Sequence, residues 1–160
     1  MTEDLKLRRK WTFRAHGRQM VFVKRTLESE IHVLTKAFLW ALFLPDYPNI
    51  SVEIRIGDRF KPDLVQLDDR LRPIFWAEAG RVSQRKTKSL IQRFRSTHLV
   101  FAKWDVKLEP LQKMMERELK SIRRTAPFDL ISFPAGSDER FIGRNGVIDI
   151  TFNDVYRVRC

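Results

Sequence analysis

The sequence has a single cysteine, Cys160, so no disulfide bond can form within the chain. Such a chain is typical of a reducing compartment, and we expect a cytoplasmic location. The longest run of apolar residues spans positions 37–44, which is too short to cross a bilayer. Residues 1–10 also lack the apolar core of a secretion signal. We therefore expect neither a membrane partner nor a disulfide partner.

Glycine and proline are scarce as well, with 6 and 7 residues in a chain of 160. No segment is of low complexity and no internal repeat is visible, which favours a folded domain over a disordered chain or a solenoid. A chain of this length, 43% of it hydrophobic, can bury a sizeable core. We expect a single domain over residues 1–160, while composition leaves its oligomeric state undetermined.

Acidic residues are outnumbered by basic ones, 20 to 31, which gives a formal net charge of +11. This balance makes the chain attractive to phosphates, nucleic acids or acidic surfaces. Nucleic acid is the expected partner of such a basic protein. The alternative is a basic protein that has no polyanionic partner.

Hydrophobic periodicity predicts the order ββ-α-βββ-α-β-α-βββ. Strands are predicted at 11–15, 19–23, 51–57, 63–68, 74–79, 98–104, 128–133, 140–143 and 147–152, the last two joined by a turn at Asn145-Gly146. Helices are predicted after Thr26, after Ser83 and over 108–124. Apolar strands on both sides of the second helix indicate a strand–helix–strand crossover, so the fold class is α/β with a mixed central sheet flanked by helices.

Two acids fall at the same end of a predicted hairpin. Asp63 begins one strand and Glu78 nearly ends the next, and antiparallel pairing places such positions side by side. Paired carboxylates suit a hard cation such as Mg²⁺ or Mn²⁺, which can activate water and bind a phosphodiester. Asp68 and Asp69 lie at the opposite end of the hairpin and are interpreted as turn residues.

The order of these elements resembles the PD-(D/E)XK nuclease-like superfamily and, within it, the YaeQ family. The segments that carry the resemblance are LESEIHVLTKAFLWALF, KPDLVQLDD, FWAEAG and RSTHLVFAKW, roughly residues 19–104. The resemblance implies a restriction endonuclease-like core over about 19–135 and a metal-dependent nuclease activity. It also implies that Asp63, Glu78 and an acid of the first helix hold the metal.

The helix acid is Glu28 or Glu30. Glu30 is in line with Leu34 and Phe38 on the apolar face, so it is favoured for the metal side. The alternative is that both acids only complement the positive end of the helix dipole.

The chain departs from the superfamily pattern at Gly80, where the motif has lysine. Lys86 of the following helix is the candidate replacement, with Lys88 at the edge of the same face and Lys61 as a weaker option. The alternative is that Lys86 belongs to a solvated basic helix face. The departure leaves two functions open: a Mg²⁺-dependent nuclease acting on DNA or RNA, and a catalytically degenerate fold that binds nucleic acid or protein.

A cluster of basic residues follows the proposed site. Its members would contact a phosphate backbone rather than read bases, and they are Arg81, Arg85, Lys88 and Arg93. The three histidines have no ligand spacing, so no zinc site is predicted. A third possibility for the acids is a purely structural role in exposed ion pairs with nearby arginines, each pair contributing roughly 0–1 kcal/mol.

Overall fold

A computed structural model describes residues 9–160. Six strands form one mixed sheet in sequential order: β3 (Ser51–Val52), β4 (Leu64–Leu67), β5 (Pro73–Ala79), β6 (His98–Trp104), β7 (Phe128–Phe133) and β8 (Tyr156–Arg159). The central strands β5, β6 and β7 are parallel, and the outer pairings are antiparallel. β1 (Lys10–Ala15) and β2 (Arg18–Val23) form a separate antiparallel hairpin.

The helices are α1 (Glu30–Phe43), α2 (Gln84–Arg93), α3 (Glu109–Leu119) and the short α4 (Ser137–Phe141). Two 3₁₀ turns cover Arg144–Gly146 and Phe152–Asp154. The mixed α/β architecture with helices flanking a mixed sheet agrees with the sequence prediction. Within residues 9–160, no helix is both long enough and apolar enough to span a bilayer.

Helix α1 is buried on nearly all sides because it lies between the hairpin and one face of the sheet. A helix with apolar residues all around must be covered in this way. Trp40 meets Phe22 of the hairpin edge-to-face at 6.1 Å, and Phe38 meets Phe133 of the sheet at 5.5 Å. The other sheet face packs against α2 and α3 through a second cluster that includes Leu90.

Two predicted helix starts have different outcomes. Ser83 is the N-cap of α2, and its hydroxyl accepts a hydrogen bond from the Lys86 N–H at 3.1 Å. Thr26 was the wrong cap for α1, since the helix begins at Glu30 and Ser29 accepts the His32 N–H at 3.1 Å. Ser29 has the same capping chemistry as Thr26, so the pattern did not separate them.

The strand predicted over 51–57 is correct only for its first two residues. Glu53 has φ of 53°, which takes the backbone out of the extended region and ends β3. Its carboxylate accepts a hydrogen bond from the buried Lys36 at 2.6 Å. A tertiary ion pair therefore overrides the alternating pattern that predicted a longer strand.

The two strands predicted around Asn145-Gly146 are also wrong. Residues 137–141 form α4, and a single bridge, Ile142 to Ile148, is all that remains of the predicted ladder. Asn145 and Gly146 do turn the chain, with φ of 59° and 71°. The terminal strand is instead β8, which pairs with β7.

Candidate active site at the carboxyl end of strand β5

The β4–β5 hairpin brings Asp63 and Glu78 together. Leu64 pairs with Ala77, so the residue before β4 lies beside the residue after Ala77. The Asp63 N–H donates to Glu78 Oε2 at 3.1 Å, and the Ala79 N–H donates to Asp63 Oδ2 at 2.8 Å. The two acids therefore meet at one end of the hairpin, as the antiparallel arrangement predicts.

Lys86 approaches this pair from α2. Its Nζ forms an ion pair with Glu78 Oε1 and also donates to the carbonyl of Lys61 at 3.5 Å. Trp76 Nε1 donates to Glu78 Oε2 at 3.2 Å. Glu78 is only 4% exposed, so its charge depends on these donors. The candidate lysine and the two acids form one contiguous cluster, which we call the acid–lysine cluster (Asp63, Glu78 and Lys86).

The two carboxyls of the acid–lysine cluster have pKa values that diverge. Burial raises the pKa of Glu78, and the nearby Asp63 charge raises it further against the opposing effect of Lys86. Burial would also raise the pKa of Asp63, but His32 and the Ala79 N–H lower it below its ordinary value. Asp63 is thus the more acidic member, and Glu78 the member that holds a proton more readily.

A second group of charges adjoins Asp63, and the sequence did not reveal it. His32 Nε2 lies 3.6 Å from Asp63 Oδ2, and its Nδ1 lies 3.2 Å from Glu28. Lys36 is fully buried and bridges Glu28 at 2.5 Å and Glu53 at 2.6 Å. The interaction with Asp63 raises the pKa of His32 despite its burial. A signal was present: a lysine inside the apolar run of α1 requires a carboxylate partner.

Of the two candidate acids, Glu28 shares a depression with Asp63, although it lies just before the N-cap Ser29 and outside α1. A depression of about 320 Å³ beside Asp63 is lined by Glu28, His32 and Glu53 among others. Glu30 is half-buried at the first position of α1 and is not among the residues that line it. Within residues 9–160, no group of three or more His, Cys, Asp or Glu side chains is arranged to hold a metal ion.

The predicted basic residues are distributed around α2. Arg93 forms a two-pronged pair with Asp58, at 2.5 and 3.1 Å, and Lys88 lies 3.9 Å from Glu118. Arg81 and Arg85 are exposed at the start of the helix. All four predicted phosphate contacts are therefore exposed, and two of them, Lys88 and Arg93, also form ion pairs.

Gly80, where the resemblance drawn from the sequence predicts lysine, has φ of 81°, a left-handed conformation. Its carbonyl accepts a hydrogen bond from Lys103 Nζ at 2.5 Å. Lys103 comes from β6 and was not singled out by the sequence. A cation thus lies beside the position where the motif places its lysine, although another strand supplies it.

These features define a mixed α/β protein with an acid–lysine cluster at the carboxyl end of a central strand. No family model and no curated protein match the chain. Among solved structures, it is similar to the YaeQ protein from Pseudomonas syringae, with 13% identity and a TM-score of 0.60. It is similar to the YaeQ protein from Xanthomonas axonopodis pv. citri, with 16% identity and a TM-score of 0.60. Each match covers 89% of this chain and 83% of the other, so the chain has the fold of YaeQ proteins.

Proposed function

We propose that the chain is a PD-(D/E)XK-type hydrolase that cuts phosphodiester bonds in DNA or RNA with a divalent metal. The observation that carries this proposal is the acid–lysine cluster: Asp63 contacts Glu78, and Lys86 pairs with Glu78. Two acids and a lysine at one strand end are the side chains that superfamily members use. The sheet supplies the acids and α2 supplies the lysine, so the migrated Lys86 takes the place of the missing motif residue.

Asp63 and Glu78 fit Mg²⁺ or Mn²⁺ as a pair of carboxylate ligands. Mg²⁺ in proteins usually takes one or two carboxylates and completes its shell with waters and substrate phosphates, so a third protein ligand is not required. Glu30 is proposed as a third acid on the sequence pattern, and Glu28 lies in the depression beside Asp63. Such a metal would polarise the phosphoryl oxygen and lower the pKa of a bound water.

The protein side chains have distinct parts in this proposal. Asp63 is 21% exposed at its side chain and faces the depression, so it is the acid that meets solvent and substrate first. Lys86 is 18% exposed and compensates the charge of Glu78. A substrate phosphate would give its ammonium a second anionic partner, which stabilises the charge that develops during hydrolysis.

A catalytically degenerate binding module is the second candidate function. It is favoured by the internal pairing of Glu78, whose two oxygens already accept from Lys86, Trp76 and the Asp63 N–H. The presence of Gly80 where the motif has lysine also supports this candidate. Such a module would bind nucleic acid or protein without metal, and binding would survive loss of Asp63.

Cleavage of labelled DNA and RNA strands separates the two candidates. The wild-type protein is expected to cut with Mg²⁺ or Mn²⁺ and not with EDTA. Asp63→Asn and Lys86→Gln are expected to reduce the rate at least about 100-fold, a loss typical of an electrostatic catalytic group. Asp69→Asn is the matched control, because Asp69 is an exposed acid in the turn of the same hairpin.

Circular dichroism of each variant would confirm that the fold is kept. Absence of metal-dependent cleavage by the wild-type protein would overturn the hydrolase proposal. Equal rates for Asp63→Asn and Asp69→Asn would overturn the assigned site.

A further inference from the structure

A second concave site lies on the other side of the first turn of α2. This site, which we call the α2–α3 pocket, has a volume of about 620 Å³ and is lined from α2 by Ser83, Gln84 and Thr87. Arg81 and Lys103 contribute from the ends of β5 and β6. In open α/β sheets, ligands bind in crevices at the carboxyl ends of the parallel strands. The α2–α3 pocket has that location, and its volume is in the usual range for a ligand site.

The walls of the α2–α3 pocket are cationic. Arg81, Lys103 and Arg117 line it, and Glu118 is the acid among the lining residues. Glu118 already faces Lys88 at 3.9 Å and Gln84 at 3.5 Å. Burial lowers the pKa of Lys103, and the positive charge of Arg81 lowers it further. An anion between these two side chains would relieve their repulsion.

The floor of the α2–α3 pocket is apolar. Phe101 and Met115 are almost fully buried, and Leu111 lies beside them. Met114 is 42% exposed at the opening, and methionine adapts its shape to a flat apolar partner. An inorganic anion would make no use of this floor, and an apolar ligand would make no use of the three cations. A nucleotide satisfies both, with its phosphate on the cations and its base on the floor.

We infer that the α2–α3 pocket binds one unpaired nucleotide of a single-stranded nucleic acid whose phosphodiester backbone continues to the acid–lysine cluster. A base stacked inside a duplex cannot enter a concave pocket, so the strand must be single or locally opened. Gln84 and Thr87 line the pocket, whereas Lys86 from the same turn of α2 pairs with Glu78. The two sites are therefore about one helix diameter apart, about 10–12 Å with side chains. This inference rests on the proposed function for the identity of the substrate as nucleic acid.

Binding measured in EDTA tests this inference without any hydrolysis. The probe is fluorescein-labelled oligodeoxythymidine, alone and annealed to oligodeoxyadenosine, followed by fluorescence anisotropy. We expect the single strand to bind at least about 10-fold more tightly than the duplex. Equal affinity for the two forms, or preference for the duplex, would overturn the inference.

Three variants locate the binding site. Arg117→Gln and Lys103→Gln are expected to weaken binding about 5- to 10-fold. Each should also reduce the slope of log affinity against log salt by about 0.7, the value for one lost phosphate contact on a single strand. Met114→Gln is expected to weaken binding several-fold without changing that slope, since it removes apolar contact with the base.

Arg123→Gln is the matched control, because it removes the same charge from an exposed arginine just beyond α3 and outside the pocket. If Arg117→Gln and Arg123→Gln behave alike, the α2–α3 pocket is not the nucleotide site. Strand binding that follows the pocket variants, with no cleavage under Mg²⁺, would uphold this inference and reject the hydrolase. Cleavage under Mg²⁺ at a rate that the pocket variants do not change would uphold the hydrolase and reject this inference.

Discussion

At the scale of single residues, the main feature is the pairing of buried charges. Within residues 9–160, each fully buried charged side chain has a partner. Lys36 lies between two carboxylates, and Glu78 has Lys86. Asp129 is fully buried and accepts from His98 at 2.7 Å and from Arg159 at 2.9 and 3.0 Å. Removing one partner of such a group leaves an uncompensated charge or an unpaired donor, which destabilises the fold.

Asp129→Asn is therefore expected to lower the free energy of unfolding at pH 7 by about 3–5 kcal/mol, the range for a broken buried ion pair. Hydrogen bonds from His98 and the two arginines, Arg157 and Arg159, overcome the effect of burial and hold the pKa of Asp129 well below its usual range. The stability from this charge is present above the unfolded pKa of about 3.9 and is lost as the pH falls toward the folded pKa.

Urea denaturation at pH 7 and at acid pH checks this prediction. The gap between wild type and Asp129→Asn should shrink as the pH falls below about 3.9. Asp69→Asn, a change at an exposed turn residue, should track the wild type throughout. A gap that is independent of pH would contradict the assigned role of the Asp129 charge.

Residue patterns predicted part of the site and could not predict the rest. Asp63 and Glu78 were brought together by strand pairing alone, and Lys86 by its place one turn before Leu90 on the inward face of α2. Outside the site, the buried Asp129 was missed because its partners come from β6 and β8, and β8 was not predicted. The sequence marks Lys36 as a lysine inside an apolar run, but it does not identify Glu53 as its partner, because an ion pair between distant elements leaves no local period.

At the scale of elements, the hairpin β1–β2 is joined to the rest of the fold by packing and by hydrogen bonds, such as that from the Ile148 N–H to the Arg14 carbonyl at 2.7 Å. Gly146 belongs to the 3₁₀ turn that lies against β1, and a Cβ placed on it would be 2.6 Å from the carbonyl oxygen of Thr12. Gly17, in the turn of the hairpin itself, has a similar φ of 73° and nothing within 4 Å of such a Cβ. A side chain at Gly17 would therefore cause conformational strain alone, whereas one at Gly146 would cause both strain and steric overlap.

Gly17→Ala is expected to lower the free energy of unfolding by about 1–2 kcal/mol, the strain of a left-handed conformation. Gly146→Ala should lower the free energy of unfolding by about 1–3 kcal/mol more than Gly17→Ala does, because the added methyl group also overlaps the backbone of β1. Urea denaturation followed by tryptophan fluorescence measures both. Equal losses in the two variants would mean that the turn at 144–146 is free to move away from the hairpin.

Elements were predicted best where tertiary contacts agree with the local pattern. The central strands are one example, since their apolar runs are buried between the two core clusters. Helix α2 is another, since its apolar stripe packs on the sheet. The C-terminal region failed because α4 and two 3₁₀ turns replace a regular hairpin there. The turn predicted at Asn145-Gly146 is present, but apart from the bridge between Ile142 and Ile148 its flanking residues have partners on β1 and at the end of α4.

At the scale of the whole molecule, the parallel strands β5, β6 and β7 gather the candidate chemistry at one end of the sheet. The acid–lysine cluster and the α2–α3 pocket both adjoin the carboxyl ends of these strands, on either side of the first turn of α2. The net charge of +11 would concentrate a polyanion around both sites. This end of the sheet therefore places a cationic pocket beside an acidic pair, the arrangement on which the proposed nuclease activity rests.

Crystals soaked in Mn²⁺ test whether Asp63 and Glu78 hold a divalent metal, as proposed above. We expect an anomalous peak within about 2–2.5 Å of both carboxylates, with Lys86 moved off Glu78 to make room. Crystals of Asp63→Asn should lack the peak. A wild-type map without a peak at this pair, with Lys86 still bound to Glu78, would contradict the metal site and favour the binding module.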